Sequence, residues 1–185
     1  MIPAETIISL RANVSRDQAV HEFATRGLRR WRVVPQRNPL RSVADLYVPF
    51  RLFRAHIKHR NTNDVRMLAM DLFSGALDPF TFDSVPDHAK LVSVKSRNRL
   101  QCALSPQQVE GALITKLQRI LFQHGFFKVS DLTIQLETVM EVLHMPYWVG
   151  LFGSGDRVSI EVLDATRRVF EGNKFRAGVQ EWLRD

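Results

Sequence analysis

Two stretches of the chain carry the same order of residue types, and this repetition constrains the fold more than any single motif. The first stretch has Pro-Phe-Arg-Leu-Phe at residues 49–53 and Val-Arg-Met-Leu-Ala-Met-Asp at residues 65–71. The second has Pro-Tyr-Trp-Val-Gly at residues 146–150 and Val-Ser-Ile-Glu-Val-Leu-Asp at residues 158–164. Self-similarity of this kind predicts two related supersecondary units packed together.

A helical pattern precedes each copy. Ser15 and Ser105 are expected N-caps, because a serine hydroxyl accepts a hydrogen bond from the free amides of the first turn. Apolar side chains recur at spacings of three and four over residues 19–28 and again over residues 109–121, which predicts two amphipathic helices. We expect Gly125 to close the second helix as a left-handed cap.

Strand patterns follow each helix. Residues 132–142 alternate apolar and polar side chains, the period of a strand with one buried face. The turn sequence Gly-Ser-Gly-Asp separates segments 147–152 and 158–163, which predicts a β-hairpin. In the first copy the matching strands, residues 47–57 and 65–70, are joined by a longer polar loop.

The remaining segments are shorter. Residues 164–172 have the pattern of a short capped helix, and residues 175–183 predict a final amphipathic helix. Residues 90–95 are a candidate extra strand. Pro49 and Pro146 donate no amide hydrogen bond, so we expect them at strand starts or on an exposed edge.

The predicted fold is therefore α+β, with two tandem units of a helix and an antiparallel β-hairpin or sheet that arose by internal duplication, followed by a C-terminal helix. We expect a first unit at residues 1–75, a connector at 76–104 and a second unit with the terminal helix at 105–185, forming one compact body.

Composition narrows the class of protein. The chain has 185 residues, of which 45% are hydrophobic and 24% are charged, so it is globular rather than disordered. Its start lacks the features of an export signal and its single cysteine, Cys102, cannot form an internal disulfide, which favours a cytoplasmic protein. No uncharged apolar run is long enough for a membrane span.

Charge is unevenly distributed along the chain. Residues 1–75 contain 13 Lys and Arg against 6 Asp and Glu, which equals the whole net charge of +7, whereas the rest contains 13 of each. The densest basic run includes Arg29, Arg30 and Arg32, with Trp31 among them. Arginine pairs with phosphate and tryptophan can stack on a base, so this run is a candidate site for nucleic acid or another polyanion. The alternative is a solvated basic face with Trp31 in the core.

Few residues suggest catalysis. Asp71 and Asp164 end equivalent strands; they would either approach each other as a general acid–base pair or cap the turns that follow. Of six histidines only His56 and His59 are close in sequence, joined by Asp64, which is too few ligands for a zinc site. No nucleophile motif, phosphate loop or dinucleotide fingerprint is present, so we expect no catalytic residue, metal or cofactor. The sequence leaves open whether the protein is an enzyme and favours one that is not.

Large aromatic residues occupy matching strands of both copies: Phe50, Phe53, Tyr147, Trp148 and Phe152. We expect them to form a shared core. Any part that stays exposed would mark a groove or a subunit contact, which makes Tyr147 and Trp148 candidate binding residues.

The order of helix, strand, hairpin and aspartate, with Val-Ser-Ile-Glu-Val-Leu-Asp-Ala at residues 158–165, resembles the PepSY-like repeat, a small α+β unit often found in tandem. The resemblance covers residues 105–172 and, more loosely, 15–75. The family string continues Asp-Ala-x-x-Gly; Gly75 lies four residues after the first aspartate, but Arg168 stands at the comparable place in the second copy. The resemblance implies binding and regulation, and it assigns no catalytic residue.

The sequence thus predicts a non-enzymatic binding or protein-interaction module, with a protein partner or a homo-oligomer formed through a sheet edge or the aromatic residues. Two alternatives stay open. One is nucleic-acid or polyanion binding through the arginine-rich first half, and the other is a small-molecule pocket between the repeats that uses Asp71 and Asp164.

Overall fold

The structure, a computed structural model, describes residues 4–30, 39–59, 62–123, 132–154 and 157–184, without the side chains of 27–30, 154 and 157. The described part is α+β. Its elements are β1 Glu5–Leu10, α1 Arg16–Arg30, β2 Leu40–His59, β3 Thr62–Asp71, β4 Phe80–Phe82, β5 Leu91–Ser96, α2 Pro106–Gln123, β6 Leu132–Ser154, β7 Arg157–Asp164 and α3 Asn173–Trp182. No helix in these ranges is long and apolar enough to cross a membrane.

The first two helices begin with the same reciprocal cap. The amide of Gln18 donates to Ser15 Oγ at 3.3 Å, and the Ser15 amide donates back to Gln18 Oε1 at 2.8 Å. Ser105 and Gln108 repeat both bonds at the same distances. Each pair satisfies two amides that have no partner inside the helix, which fixes where α1 and α2 start.

Two antiparallel hairpins form as predicted, although their strands are longer. β2 pairs with β3, and β6 pairs with β7, each in an unbroken register. The strands are ordered β4-β3-β2-β6-β1-β5, with β7 also paired to β6. The predicted extra strand is β5, whereas β1 and β4 were not expected from the sequence.

The chain divides into two compact units that are interleaved in sequence. The first unit comprises Met1–Val48, Val92–Leu100 and Met145–Asp185, and the second comprises Pro49–Leu91 and Gln101–His144. This division differs from the contiguous one predicted at 1–75, 76–104 and 105–185. The reason is that the boundaries fall inside two strands, after Val48 in β2 and after His144 in β6.

The core of the second unit lies between α2 and one face of the β2–β3 hairpin. Val109, Leu113, Leu117 and Leu121, all on one side of α2, are buried. They pack with Phe53, Ala55, Ile57, Leu68, Met70 and Leu72, and with the partly buried Leu132, Ile134 and Leu136 of β6. The alternation of these positions places the other face of the same strands away from α2.

The core of the first unit is centred on Phe23 of α1. Its ring meets those of Phe152 and Phe170 edge-on, with centroids 6.0 and 5.5 Å apart. A Cβ atom added to Gly150 of β6 would lie 2.8 Å from this ring, so only glycine lets α1 pack this close to the hairpin.

The short helix predicted at residues 164–172 is absent; turns occupy residues 165–167 instead. Arg168 has a left-handed backbone, with φ of 59°, which ends any helical path. Phe170 then forms an antiparallel bridge with Leu163, so the chain returns along β7 before α3 begins.

Candidate functional site

Asp71 is fully buried, and its carboxylate organises the turn after β3. Oδ1 accepts hydrogen bonds from the amides of Ser74 at 2.7 Å and Gly75 at 2.9 Å, and Oδ2 accepts from the Leu77 amide at 3.0 Å. The Ser74 hydroxyl adds a further bond at 3.2 Å. Both oxygens therefore serve the turn, which is a capping role.

Asp164 does the same after β7. Its Oδ1 accepts from the amides of Thr166 at 2.7 Å and Arg167 at 2.9 Å, and its Oδ2 accepts from Arg167 Nε at 2.6 Å. Burial lowers the pKa of the Arg167 guanidinium, but the adjacent Asp164 carboxylate more than offsets this and leaves the pKa above its ordinary value. The Arg167 guanidinium therefore stays charged, and its bond to Asp164 holds the turn.

Among the other sequence-predicted site residues, Tyr147 and Trp148 are described with their side chains. Tyr147 is buried, with its ring 5.9 Å from that of Phe175 on α3. Trp148 is partly buried and donates its indole N–H to the Val14 carbonyl at 2.9 Å. Arg29 and Arg30 belong to the last turn of α1, but their side chains lie outside the described set. Trp31 and Arg32 lie outside the described residues altogether. In the ranges that are described, no group of three or more His, Cys, Asp or Glu could hold a metal ion.

The direction of the backbone groups along β3 follows from one hydrogen bond. The amide of Leu72 donates to the Pro49 carbonyl at 2.8 Å, and the register between β2 and β3 is unbroken from there to the hairpin. In an antiparallel ladder, alternate residues exchange both bonds with the partner strand, and the others point both groups away from it. Even-numbered residues of β3 therefore bond to β2, and odd-numbered residues point outward.

This outward edge of β3 is covered over only part of its length. β4 pairs with β3 from Met67 to Ala69, and the chain bends away after Phe82. Among the described residues, no strand or loop accepts or donates a backbone hydrogen bond to Asn63 or Val65 on that side. Val65 is 56% exposed. An edge with unsatisfied amides and carbonyls can pair with a further strand.

The corresponding edge of β7 is covered. The amide of Asp164 and the carbonyl of Val162 bond to the returning segment 169–171 at 2.8 and 2.9 Å. Nearer the hairpin, Gln180 of α3 donates to the Val158 carbonyl at 3.4 Å. The open stretch on β3 is thus a specific difference between two hairpins of similar length, and it marks the candidate site.

An open pocket of about 430 Å³ adjoins the uncovered stretch of β3. It is lined by His56, Ile57, Lys58, Asn63, Asp64, Val65, Thr133 and Gln135. The cross-strand pairs His56–Val65 and Lys58–Asn63 place four of these side chains on the sheet face that points away from α2. The site therefore combines an unpaired edge with polar side chains on one face.

The charge around this pocket is mixed. Arg54 donates to Glu137 Oε2 at 2.8 Å, and His56 Nε2 lies 3.8 Å from the same oxygen. Lys58 has no carboxylate of the described residues within 4.0 Å. One cation of the pocket is therefore available for a ligand, whereas Arg54 is already neutralised.

The net charge of the whole chain belongs to the first unit. That unit contains 17 Lys and Arg against 10 Asp and Glu, a net charge of +7, whereas the second unit contains nine of each. The sequence-based split assigned the excess to residues 1–75. In the first unit, residues 1–48 contain eight Lys and Arg against four Asp and Glu, residues 92–100 contain three against none, and residues 145–185 are balanced with six of each. A net charge of this size produces a positive potential around the first unit.

A comparison of the chain with protein-family models, curated proteins and solved structures yields no match. The site is therefore defined by geometry alone. Sequence reasoning missed Asn63, Val65, Thr133 and Gln135, because the pattern around them is that of an ordinary polar hairpin end. No local signal could have found them, because β4, the strand that leaves this part of β3 uncovered, is paired with β3 only in the folded chain.

Proposed function

We propose that the protein is a non-enzymatic interaction module that takes an extended segment of a protein partner at the open edge of β3. The observation that carries the proposal is the outward pair of residues, Asn63 and Val65, beside an open pocket. A peptide added there extends the sheet in line with β4, a common mode of peptide recognition. The PepSY-like resemblance, which assigns binding and no catalysis, points to the same class of function.

The backbone contribution sets the expected strength of binding. Two residues offer two amides and two carbonyls, and each hydrogen bond contributes about 0.5–1.5 kcal/mol. Their sum is on the order of 2–6 kcal/mol, from which the cost of ordering the peptide is subtracted. For most of that range the affinity is millimolar or weaker. Selectivity must therefore come from side chains that reach the face with the pocket.

Val65→Pro tests the proposal. Because the amide of Val65 points away from β2, proline removes a donor for the partner and none from the hairpin. Val65→Thr is the matched control, since it keeps the amide and a β-branched side chain. Short peptides selected from a random display library on the wild-type protein should bind Val65→Thr normally and Val65→Pro about two- to tenfold more weakly. Selected peptides that bind both variants equally well would place the interaction elsewhere.

The second candidate function is binding of a nucleic acid or another polyanion by the basic first unit. It is favoured by the net charge of +7 on that unit. Retention on heparin should fall steeply with salt and be lost when Arg29, Arg30 and Arg32 are changed to Ala together. Retention that is absent, or that salt does not change, removes this candidate.

We further propose that the two hairpins and their helices descend from one duplicated segment. Three matched features support this: the caps at Ser15 and Ser105, the aspartate-centred turns, and the strand-closing bonds. Leu72 donates to Pro49 and Ala165 donates to Pro146, at 2.8 and 3.0 Å. A duplication predicts that equivalent turn positions respond alike to the same substitution.

A further inference from the structure

We infer that the partner segment carries an acidic side chain that enters the pocket beside Lys58. This inference rests on the proposed pairing at the edge of β3 and adds the chemistry of the partner. Its basis is the juxtaposition of three features within the second unit: the outward backbone groups of Asn63 and Val65, the pocket on the same sheet face, and the lysine at its wall.

The faces of the sheet decide where a partner side chain goes. A residue paired opposite Asn63 points its side chain to the same face as Asn63, because directly paired residues share a face. On that face Asn63 is paired with Lys58, and Val65 is paired with His56. A long side chain opposite Asn63 therefore reaches over that residue towards Lys58, whereas its neighbours along the strand point to the α2 side.

The charges on the two faces select an acid for the first of these positions. On the pocket face, Glu137 is engaged with Arg54 at 2.8 Å, so it does not neutralise Lys58. On the α2 side, Asp64 is engaged with Arg66 at 2.7 Å. A carboxylate of the bound segment can pair with Lys58, which has no other acidic partner in the described ranges. A lysine of the bound segment at the same position would be repelled by Lys58.

A second copy of this chain fits the edge less well. The two-fold antiparallel register that pairs Asn63 of one copy with Val65 of the other uses all four outward groups. It also places Asp64 directly opposite the Asp64 of the second copy, and like charges in that position are destabilising. The side chains brought to the pocket would be asparagine and valine, which leave Lys58 without a carboxylate. The occupant is therefore an extended segment of a different protein.

The experiment uses three synthetic peptides in which valine and threonine alternate and only the central residue differs: glutamate, glutamine or lysine. Each is titrated into the isotope-labelled full chain, and amide shifts of residues 62–66 report binding. We expect the glutamate peptide to bind about fivefold more tightly than the glutamine peptide, and the lysine peptide to bind most weakly. Lys58→Gln should abolish the difference, whereas Lys90→Gln, at a lysine outside the pocket, should preserve it.

The outcomes separate this inference from the proposed function. If the three peptides bind equally well and Val65→Pro abolishes binding of all three, the edge is a docking site but the acidic preference is wrong. If Val65→Pro leaves binding unchanged, or no peptide shifts the amides of 62–66, the pairing at β3 is itself wrong. Concentration-dependent dimerisation that Val65→Pro abolishes would show that a second copy is the occupant.

Discussion

Arg168 is held in a backbone conformation that suits glycine, and this allows a test of the turn after β7. Its φ is 59°, and Gly75, at the comparable place after β3, has φ of 62°. Relief of the left-handed conformation is worth about 1–2 kcal/mol. Glycine gives back about 0.4–1 kcal/mol, because it makes the unfolded chain more flexible.

The side chain of Arg168 has its own contribution. Its guanidinium lies 2.6 Å from Glu22 Oε1 on α1, with more than half of the arginine side chain exposed, so the ion pair contributes about 0.2–1 kcal/mol. Arg168→Ala loses the pair and keeps the strain, whereas Arg168→Gly loses both. We therefore expect the free energy of unfolding of Arg168→Gly to be about 0.5–1 kcal/mol higher than that of Arg168→Ala, and to lie within about 1 kcal/mol of the wild-type value.

Urea denaturation followed by circular dichroism measures these differences, provided that the dependence on urea is the same for all variants. Glu22→Gln is the control, because it removes the ion pair without changing the backbone. Gly75→Ala is the reverse test: it should cost about 1 kcal/mol or more, since strain is added and its Cβ lies 3.2 Å from Leu104. If Arg168→Ala has the same free energy of unfolding as Arg168→Gly, the assignment of backbone strain to this position is wrong.

Two further predictions concern other parts of the chain. Gly150→Ala should destabilise the protein by about 1–3 kcal/mol, because the added Cβ overlaps the buried aromatic ring of α1. Gly111→Ala should stabilise α2 by about 0.5–1 kcal/mol, because a Cβ there meets nothing within 4 Å. Thermal unfolding of the two variants measures both effects, and equal effects would contradict the packing described. Burial, and next the neighbouring Asp45 carboxylate, raise the pKa of Tyr47 above its ordinary value of 10.0. The folded state thus holds the phenol proton more tightly, so this stabilisation is complete below pH 10.0 and is lost as pH rises through the folded pKa. Absorbance titration of Tyr147→Phe, which leaves one tyrosine, should show the raised midpoint; a midpoint at or below 10.0 would count against it.

The helices and hairpins could be predicted because their signals are local. Ser15 and Ser105 fix helix starts through bonds within one turn, and the strand alternation is visible over a few residues. The prediction that Pro49 and Pro146 lie at strand starts or on an exposed edge was wrong, because both lie inside the long strands β2 and β6. Each proline carbonyl accepts the last hydrogen bond of a hairpin ladder, so the missing amide falls where that ladder ends.

The partnership between helices and hairpins could not be predicted. α1 packs in the first unit with the hairpin of β6 and β7, and α2 packs in the second unit with that of β2 and β3. Both helices have similar apolar faces and both hairpins have similar buried faces, so local pattern suits either pairing. The open edge of β3 was hidden for a related reason, since which strand covers an edge is a long-range property.

Amide hydrogen exchange along β3, measured by NMR on the free protein, tests the central claim most directly. The account predicts alternation: the amides of Asp64 and Arg66, bonded to β2, exchange slowly, whereas those of Asn63 and Val65 exchange at rates close to an unstructured peptide. Met67, covered by β4, should be protected again. Equal protection of Asn63 and Val65 with their neighbours would show that this edge is already occupied, and the proposed binding surface would not exist.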